Sequence, residues 1–120
     1  MNMKKVFWKI VLVSGILVLC PIAYAGSLPE GPYSSWSQSQ IQSAAVTIRS
    51  MCESECMPYT EEAKEGGQRA SYEAAACAIA CFVNHLPADY PGLDNMKASA
   101  IENYENAKRL GSNAPYFLKQ

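Results

Sequence analysis

Four cysteines in two closely spaced pairs constrain this chain more than any other feature of its sequence. Cys52 and Cys56 lie four positions apart, as do Cys77 and Cys81. Residues at this spacing on an α-helix share one face, with Cβ atoms about 5–6 Å apart. A disulfide holds its two Cβ atoms only about 3.8 Å apart. Bonds within one helix would need distortion, so bonds between two helices are favoured.

The direction of the chain selects the partners of these cysteines. In an antiparallel hairpin, residues equally far from the turn face each other. The pairs Cys52–Cys81 and Cys56–Cys77 share one midpoint, which falls in the Gly66-Gly67 dipeptide, the most evident turn of this region. The sequence therefore predicts these two disulfides in an antiparallel helical hairpin, because the alternative pairing would need parallel helices.

Twin Cys-x3-Cys pairs on a helical hairpin resemble the coiled-coil-helix framework of small mitochondrial intermembrane-space chaperones. The resemblance covers residues 52–81 and concerns architecture, with no family identified. It implies a stapled pair of helices and carries no implication of chaperone activity.

The first 25 residues have the features of a signal peptide. A positive region with three lysines precedes the apolar run 10–19, and Ala23-Tyr24-Ala25 offers small residues at the positions that signal peptidase reads. The apolar run is shorter than the roughly 20 residues that span a bilayer. We expect cleavage after Ala25, a periplasmic or secreted protein, and no permanent membrane span.

Cys20 offers a second interpretation of this segment, because a cysteine at such a place can be lipidated. Lipoprotein signals usually carry a small residue just before that cysteine, and here the residue is Leu19. This departure favours a cysteine that is discarded with the signal peptide.

Cleavage also changes the charge of the chain. Three of its ten Lys and Arg residues leave with the signal peptide, while all eleven Asp and Glu residues remain, which gives a formal net charge of −4. No basic patch is left to attract nucleic acid or an anionic membrane. A domain of this size has a barely sufficient core, so cysteines in an oxidising compartment are expected to form a disulfide framework.

The expected fold class is all-α, a small helical domain over residues 37–111 that contains the stapled hairpin and a third helix. An irregular leader over 26–36 precedes it and a tail over 112–120 follows it. Ser37 and Gln40 have the spacing of a capping box and predict the start of the first helix. Pro58 predicts its end or a kink, with a resumption over 61–65.

The second and third helices follow from their apolar periodicity and their end signals. The second runs from about residue 70 or 71 to His85, and the third from near Asp94 to the helix-ending Gly111. Helical periodicity predicts the inward faces of the three helices: Ile41, Ala44, Ala45, Ile48, Cys52, Cys56 and Tyr59; then Ala70, Ala74, Cys77, Ala78, Cys81 and His85, with Phe82 at the margin; then Leu93, Met96, Ala100, Tyr104 and Ala107.

Zinc or copper is the alternative use of the four cysteines, since their spacing also suits a zinc site. Exported thiols this close are normally oxidised, which favours disulfides. Met57 separates Cys56 from Pro58, a departure from a copper-chaperone motif. Thiol–disulfide catalysts use Cys-x2-Cys at a helix start, and these pairs lie inside helices. No metal and no cofactor are expected.

No catalytic residue is predicted. His85 is the single histidine, and the sequence holds no Gly-x-Ser-x-Gly motif that would mark a hydrolase nucleophile. A histidine that closes a helix is typical of a favourable C-terminal charge. The chain is therefore expected not to be an enzyme.

The candidate binding residues are aromatic and acidic. Tyr90 and Tyr116 fall in a predicted connector and in the tail, and exposed tyrosines are frequent anchors at protein interfaces. Glu61, Glu62 and Glu65 form an acidic arm of the hairpin, which is typical of a solvated face and can steer a basic partner.

These features predict a small non-enzymatic protein that binds another protein, such as an inhibitor or immunity protein against a secreted cell-wall enzyme. Two alternatives stay open: an accessory subunit of an envelope secretion or conjugation machine, and a metal or redox carrier.

Overall fold

The computed structural model describes residues 28–119 and confirms the all-α fold, with no strand in this range. A short 3-10 turn over Tyr33–Ser35 precedes four α-helices: α1 (Gln38–Glu55), α2 (Met57–Lys64), α3 (Gln68–His85) and α4 (Leu93–Arg109). The predicted signal peptide, Cys20 and the cleavage site at Ala25 lie outside the described residues.

The first helix begins at the predicted capping box. The Ser37 hydroxyl accepts a hydrogen bond from the Gln40 amide at 3.2 Å, and the Gln40 side chain accepts one from the Ser37 amide at 2.8 Å. These bonds satisfy two backbone donors that the helix itself leaves unpaired.

Of the two predicted outcomes at Pro58, an end or a kink, the structure shows an end, with a break between α1 and α2. Cys56 has φ −98° and ψ 8°, which interrupts the helical geometry after Glu55. Pro58 then occupies the first turn of α2, where a missing amide hydrogen breaks no helical bond. The first helix of the predicted hairpin is therefore two helices, and Met57 begins the second of them.

Helix α3 is the centre of the fold, because it packs against each of the other three helices and most extensively against α4. Buried alanines line both helices of that pair, among them Ala76 and Ala80 on α3 and Ala100 and Ala107 on α4. Small side chains let two helix backbones approach closely. The largest interface of α3 is thus with the third predicted helix and not with its disulfide-bonded partner α1.

Both predicted disulfides are present and join α3 to the first arm of the hairpin, which consists of α1, Cys56 and α2. Cys52–Cys81 has a Cα–Cα distance of 5.7 Å, and Cys56–Cys77 has one of 5.9 Å. With Ile48 they form the buried cluster of the core, against which several half-buried residues pack: Leu28, Tyr59, Phe82, Leu86 and Phe117.

The predicted buried faces are correct in their main positions and wrong in a few. Ala45 is exposed, and five buried helix residues lie outside the predicted faces: Thr47, Glu73, Ala76, Ala80 and Val83. The Glu73 carboxylate is paired with Arg69 at 2.7 Å and with the Ser112 hydroxyl. A buried acid needs such partners because burial removes its water.

The predicted leader and tail are both attached to the helical domain. The leader is held through Asp89, and the tail through Asn84, which donates to the Phe117 carbonyl at 2.9 Å and accepts from the Lys119 amide at 2.9 Å. Within residues 28–119, none of the helices has the length and hydropathy of a bilayer-spanning segment.

Candidate protein-binding site

An apolar groove lies between α3 and α4, with a volume of about 430 Å³. Its surface is almost entirely apolar. All its lining residues belong to these two helices: Ala78, Ile79, Phe82, Asn95, Met96 and Ser99. A shallow apolar groove on a helical surface is suited to an apolar segment of another protein.

Small residues make the close contact between α3 and α4, and larger side chains lie at the edge of that contact. The groove forms between these larger side chains. Ile79 and Phe82 lie three positions apart on α3, so they share a face. Both are half-buried, as is Met96 on the facing helix. Their apolar surface is only partly covered by the protein itself.

Ile79 is not among the residues predicted to be buried. Met96 is predicted to be buried and is half-buried in the structure. The sequence carries a signal for this second stripe, since Ala75, Ile79 and Phe82 recur at helical spacing beside the cysteine face. The dominant cysteine periodicity hides it.

One end of the groove meets the connector between α3 and α4. Asn95 lines both the groove and a neighbouring depression of about 410 Å³ that Asp89, Tyr90 and Asp94 also line. The surface therefore continues from the apolar groove into a polar end that carries two carboxylates. Asp94 lies in the first turn of α4, where a negative charge is favourable.

Asp89 organises this polar end. Its carboxylate accepts hydrogen bonds from the backbone amides of Tyr33 at 2.7 Å and Ser34 at 3.1 Å. The bond from the Tyr33 amide is the main reason that the pKa of Asp89 lies below its ordinary value. The leader is thereby fastened to the connector.

The two predicted tyrosine anchors lie on different parts of the surface. Tyr90 is half-buried, lies in the connector beside the groove, and packs edge-on against Tyr33 with ring centroids 5.0 Å apart. Tyr116 belongs to the tail, is 42% exposed, and packs against Tyr104 at 5.1 Å. Of these two tyrosines, only Tyr90 lines the polar depression that shares Asn95 with the groove.

The predicted acidic arm lies on and just after α2, away from the residues that line the groove. Glu61 pairs with Lys64 at 3.2 Å, and Glu62 pairs with Arg69. The hydrogen bond that Arg69 donates to the Glu62 carboxylate is the main cause of the raised pKa of Arg69. Glu65 is exposed at the end of α2. Part of this negative charge is therefore already neutralised by neighbouring cations.

A second cavity, of about 280 Å³, opens over the disulfides. Glu55 lines it, and its carboxylate oxygen lies 2.7 Å from Cys81 Sγ and 3.4 Å from His85 Nε2. The sequence predicts a helix-end charge for His85 and does not predict that it lies beside Glu55. Their proximity depends on how α1 and α3 are joined, which local sequence does not report.

Comparisons with known proteins give no family for this chain. No family model matches it, and neither does any curated protein or solved structure at a significant level. The function is therefore inferred from the geometry of the described residues.

Proposed function

We propose that this chain is an exported, non-enzymatic protein that binds another protein, as an inhibitor or immunity protein of a secreted cell-wall enzyme. The observation that carries the proposal is the apolar groove between α3 and α4. Disulfides between helices are typical of the oxidising space outside the cytosol, which supports a periplasmic or secreted location after cleavage at Ala25.

The groove suits a partner because it is built on two rigid elements. Helix α3 is covalently joined to the first arm through Cys77 and Cys81, and it packs along α4. A surface that is held in shape before binding loses little conformational entropy on association. Ile79, Phe82 and Met96 supply its apolar contacts.

Charge indicates the chemistry of the partner. Residues 26–120 carry a net charge of −4, and Asp89 and Asp94 stand at the polar end of the groove. Complementary charge steers association and fixes orientation. We therefore expect a partner segment with apolar side chains for the groove and a Lys or Arg at one end.

The test is a substitution in the groove with a matched control on another helix. Ile79→Lys places a charge in the groove, whereas Val46→Lys places the same charge on α1, where Val46 is 69% exposed. A partner is captured from periplasm with the unsubstituted protein, purified, and titrated by calorimetry. Loss of an interface anchor costs about 2 kcal/mol or more, so affinity should fall at least about tenfold.

Val46→Lys should bind like the unsubstituted protein, and both variants should have the same helix content by circular dichroism. If both variants lose affinity equally, or if neither loses affinity, the groove is not the binding site. His85→Ala should leave binding intact. If this substitution alone abolished the biological activity of the protein, the protein would be an enzyme.

The partner's own activity distinguishes the inhibitor from the alternative. An inhibitor should abolish the activity of a purified cell-wall hydrolase at a one-to-one ratio and protect cells that express it. An accessory subunit of an envelope machine should instead be required for secretion or conjugative transfer and leave the hydrolase active.

A further inference from the structure

We propose that Cys52, Cys81, Glu55 and His85 form a zinc site in the reduced protein, and that formation of the Cys52–Cys81 disulfide abolishes it. Glu55 and Cys81 line the second cavity, and none of the four residues lines the α3–α4 groove. The zinc site is therefore a separate property from the proposed binding function.

The ligand atoms are already close together in the oxidised protein. One ligand atom from each of Cys52, Glu55 and Cys81 lies within 4.8 Å of the others. His85 Nε2 lies 3.4 Å from the Glu55 carboxylate oxygen. Zinc holds its sulfur ligands at about 2.3 Å and its nitrogen and oxygen ligands at about 2.0–2.2 Å, so the Cys52–Cys81 bond must first be reduced and its two sulfurs must move apart around the ion.

The helical positions of the four residues favour one shared site. Glu55 follows Cys52 by three positions on α1, and His85 follows Cys81 by four positions on α3. Residues at these spacings lie on one helix face. Two thiolates, one imidazole and one carboxylate are ligands that zinc accepts in tetrahedral sites.

Within residues 28–119, the inner pair of cysteines, Cys56 and Cys77, has no such group of metal ligands beside it, unlike the outer pair, Cys52 and Cys81. The cavity walls near Cys56 and Cys77 include the aromatic rings of Tyr59 and Phe117, which offer no metal ligand of comparable strength. Among the described residues, the group able to hold a metal contains only the outer pair of cysteines. The structure thus favours a mixed site over the four-cysteine site that the spacing alone permits.

Oxidation and zinc binding exclude each other because they use the same two sulfurs. In the zinc form, Cys52 and Cys81 are thiolates. A disulfide-bearing oxidant takes two electrons from them, the sulfur–sulfur bond forms, the zinc ion departs, and the oxidant becomes a dithiol with two protons from solvent. A dithiol reductant reverses these steps.

Cobalt(II) and zinc(II) are the probes for the test, added to mature protein that has been reduced and kept anaerobic. We expect one ion per chain, with a cobalt–thiolate charge-transfer band of two thiolates, and no binding by the oxidised protein. Glu55→Gln and His85→Asn should weaken binding at least about tenfold, since even the loss of an outer-shell partner costs about 10–100-fold. Glu53→Gln, on the same helix and paired with Arg49, is the matched control.

Alkylation of the thiols followed by mass spectrometry identifies the ligating cysteines without any substitution. Zinc should protect Cys52 and Cys81 and leave Cys56 and Cys77 reactive. Protection of all four cysteines, an unchanged affinity in both the Glu55→Gln and His85→Asn proteins, or no bound ion would each overturn the proposal. Zinc bound equally by the oxidised protein would also overturn it.

Discussion

Asp89 shows how one side chain joins two distant parts of the chain. It lies in the connector before α4, yet its carboxylate holds the backbone amides of the 3-10 turn at Tyr33 and Ser34. Tyr33 in turn packs against Tyr90 and Trp36, with ring centroids 5.0 and 5.9 Å apart. The arrangement of these aromatic residues therefore depends on an ionised carboxylate.

Acid should release this contact. The pKa of Asp89 is lower in the folded protein than its ordinary value of 3.8, so the contact stabilises the fold above that pH. The stabilisation is lost as pH falls below 3.8 through the folded pKa. Trp36 is the single tryptophan in residues 28–119, and its fluorescence should change over this range.

Asp89→Asn tests the same contact at neutral pH. The amide is a weaker acceptor than the carboxylate, so the variant should show at pH 7 the Trp36 fluorescence that the unsubstituted protein shows in acid. Asp94→Asn is the control, and it should leave the neutral spectrum unchanged. An unaltered acid transition in Asp89→Asn would contradict the assignment to Asp89.

At the scale of elements, the disulfides should contribute stability and not helicity. Cys52–Cys81 closes a sequence separation of 29 residues, and by the chain-entropy model such a loop is worth about 3 kcal/mol. Replacing both cysteines by alanine should lower the free energy of unfolding by less than that amount, because Cys56–Cys77 lies inside this loop and still restricts the unfolded chain. Far-ultraviolet circular dichroism should keep its helical signal, because the packing of α3 on α4 remains.

Substitution of the inner pair, Cys56 and Cys77, gives the comparison for this experiment. Its sequence separation of 21 residues predicts a slightly smaller loss. Urea unfolding of each variant measures the difference. A collapse of helix content in either variant would show that the disulfides are needed to form the helices and not only to stabilise them.

The tail should depend on Asn84. This side chain makes two hydrogen bonds to backbone of the tail, each typically worth about 0.5–1.5 kcal/mol. Asn84→Ala should therefore lower the free energy of unfolding by about 1–3 kcal/mol and expose the tail to limited proteolysis. Asn103→Ala is the control, since Asn103 bonds to Ser99 within α4 and not to the tail.

Helix starts and the break before Pro58 were predictable because they depend on near neighbours. The Ser37–Gln40 capping box and the proline at the start of α2 are both local. The cysteine pairing was predictable because chain direction and the glycine turn restrict it. The dominance of the α3–α4 contact was not, since alanines on both helices carry little periodic signal.

Much of the candidate site could not be predicted from the sequence, because its residues come from separate elements. Tyr90 was predicted and lies beside the groove, but Ile79 and Asp89 were missed. The pairing of Glu55 with His85 spans 30 positions and two helices. Each of these contacts requires the relative position of whole elements, which only the folded molecule supplies.

At the scale of the whole molecule, the proposed signal peptide predicts the form of the mature protein. Cleavage after Ala25 should give a species that begins at Gly26 and has lost three lysines. Intact-mass measurement of periplasmic protein decides this, with a mass lower by two hydrogens for each disulfide. A lipidated species that begins at Cys20 would contradict the prediction.

The Gly66-Gly67 turn lies inside both covalent rings that the disulfides close. Both glycines have positive φ, +98° and +104°, and both are exposed. A single cut of the backbone there separates α2 from α3 in sequence, yet Cys52–Cys81 and Cys56–Cys77 still hold the two pieces together. Nicked protein should migrate as one band without reductant and as two with it. A protein built in this way stays in one covalent piece after a protease cuts this exposed turn.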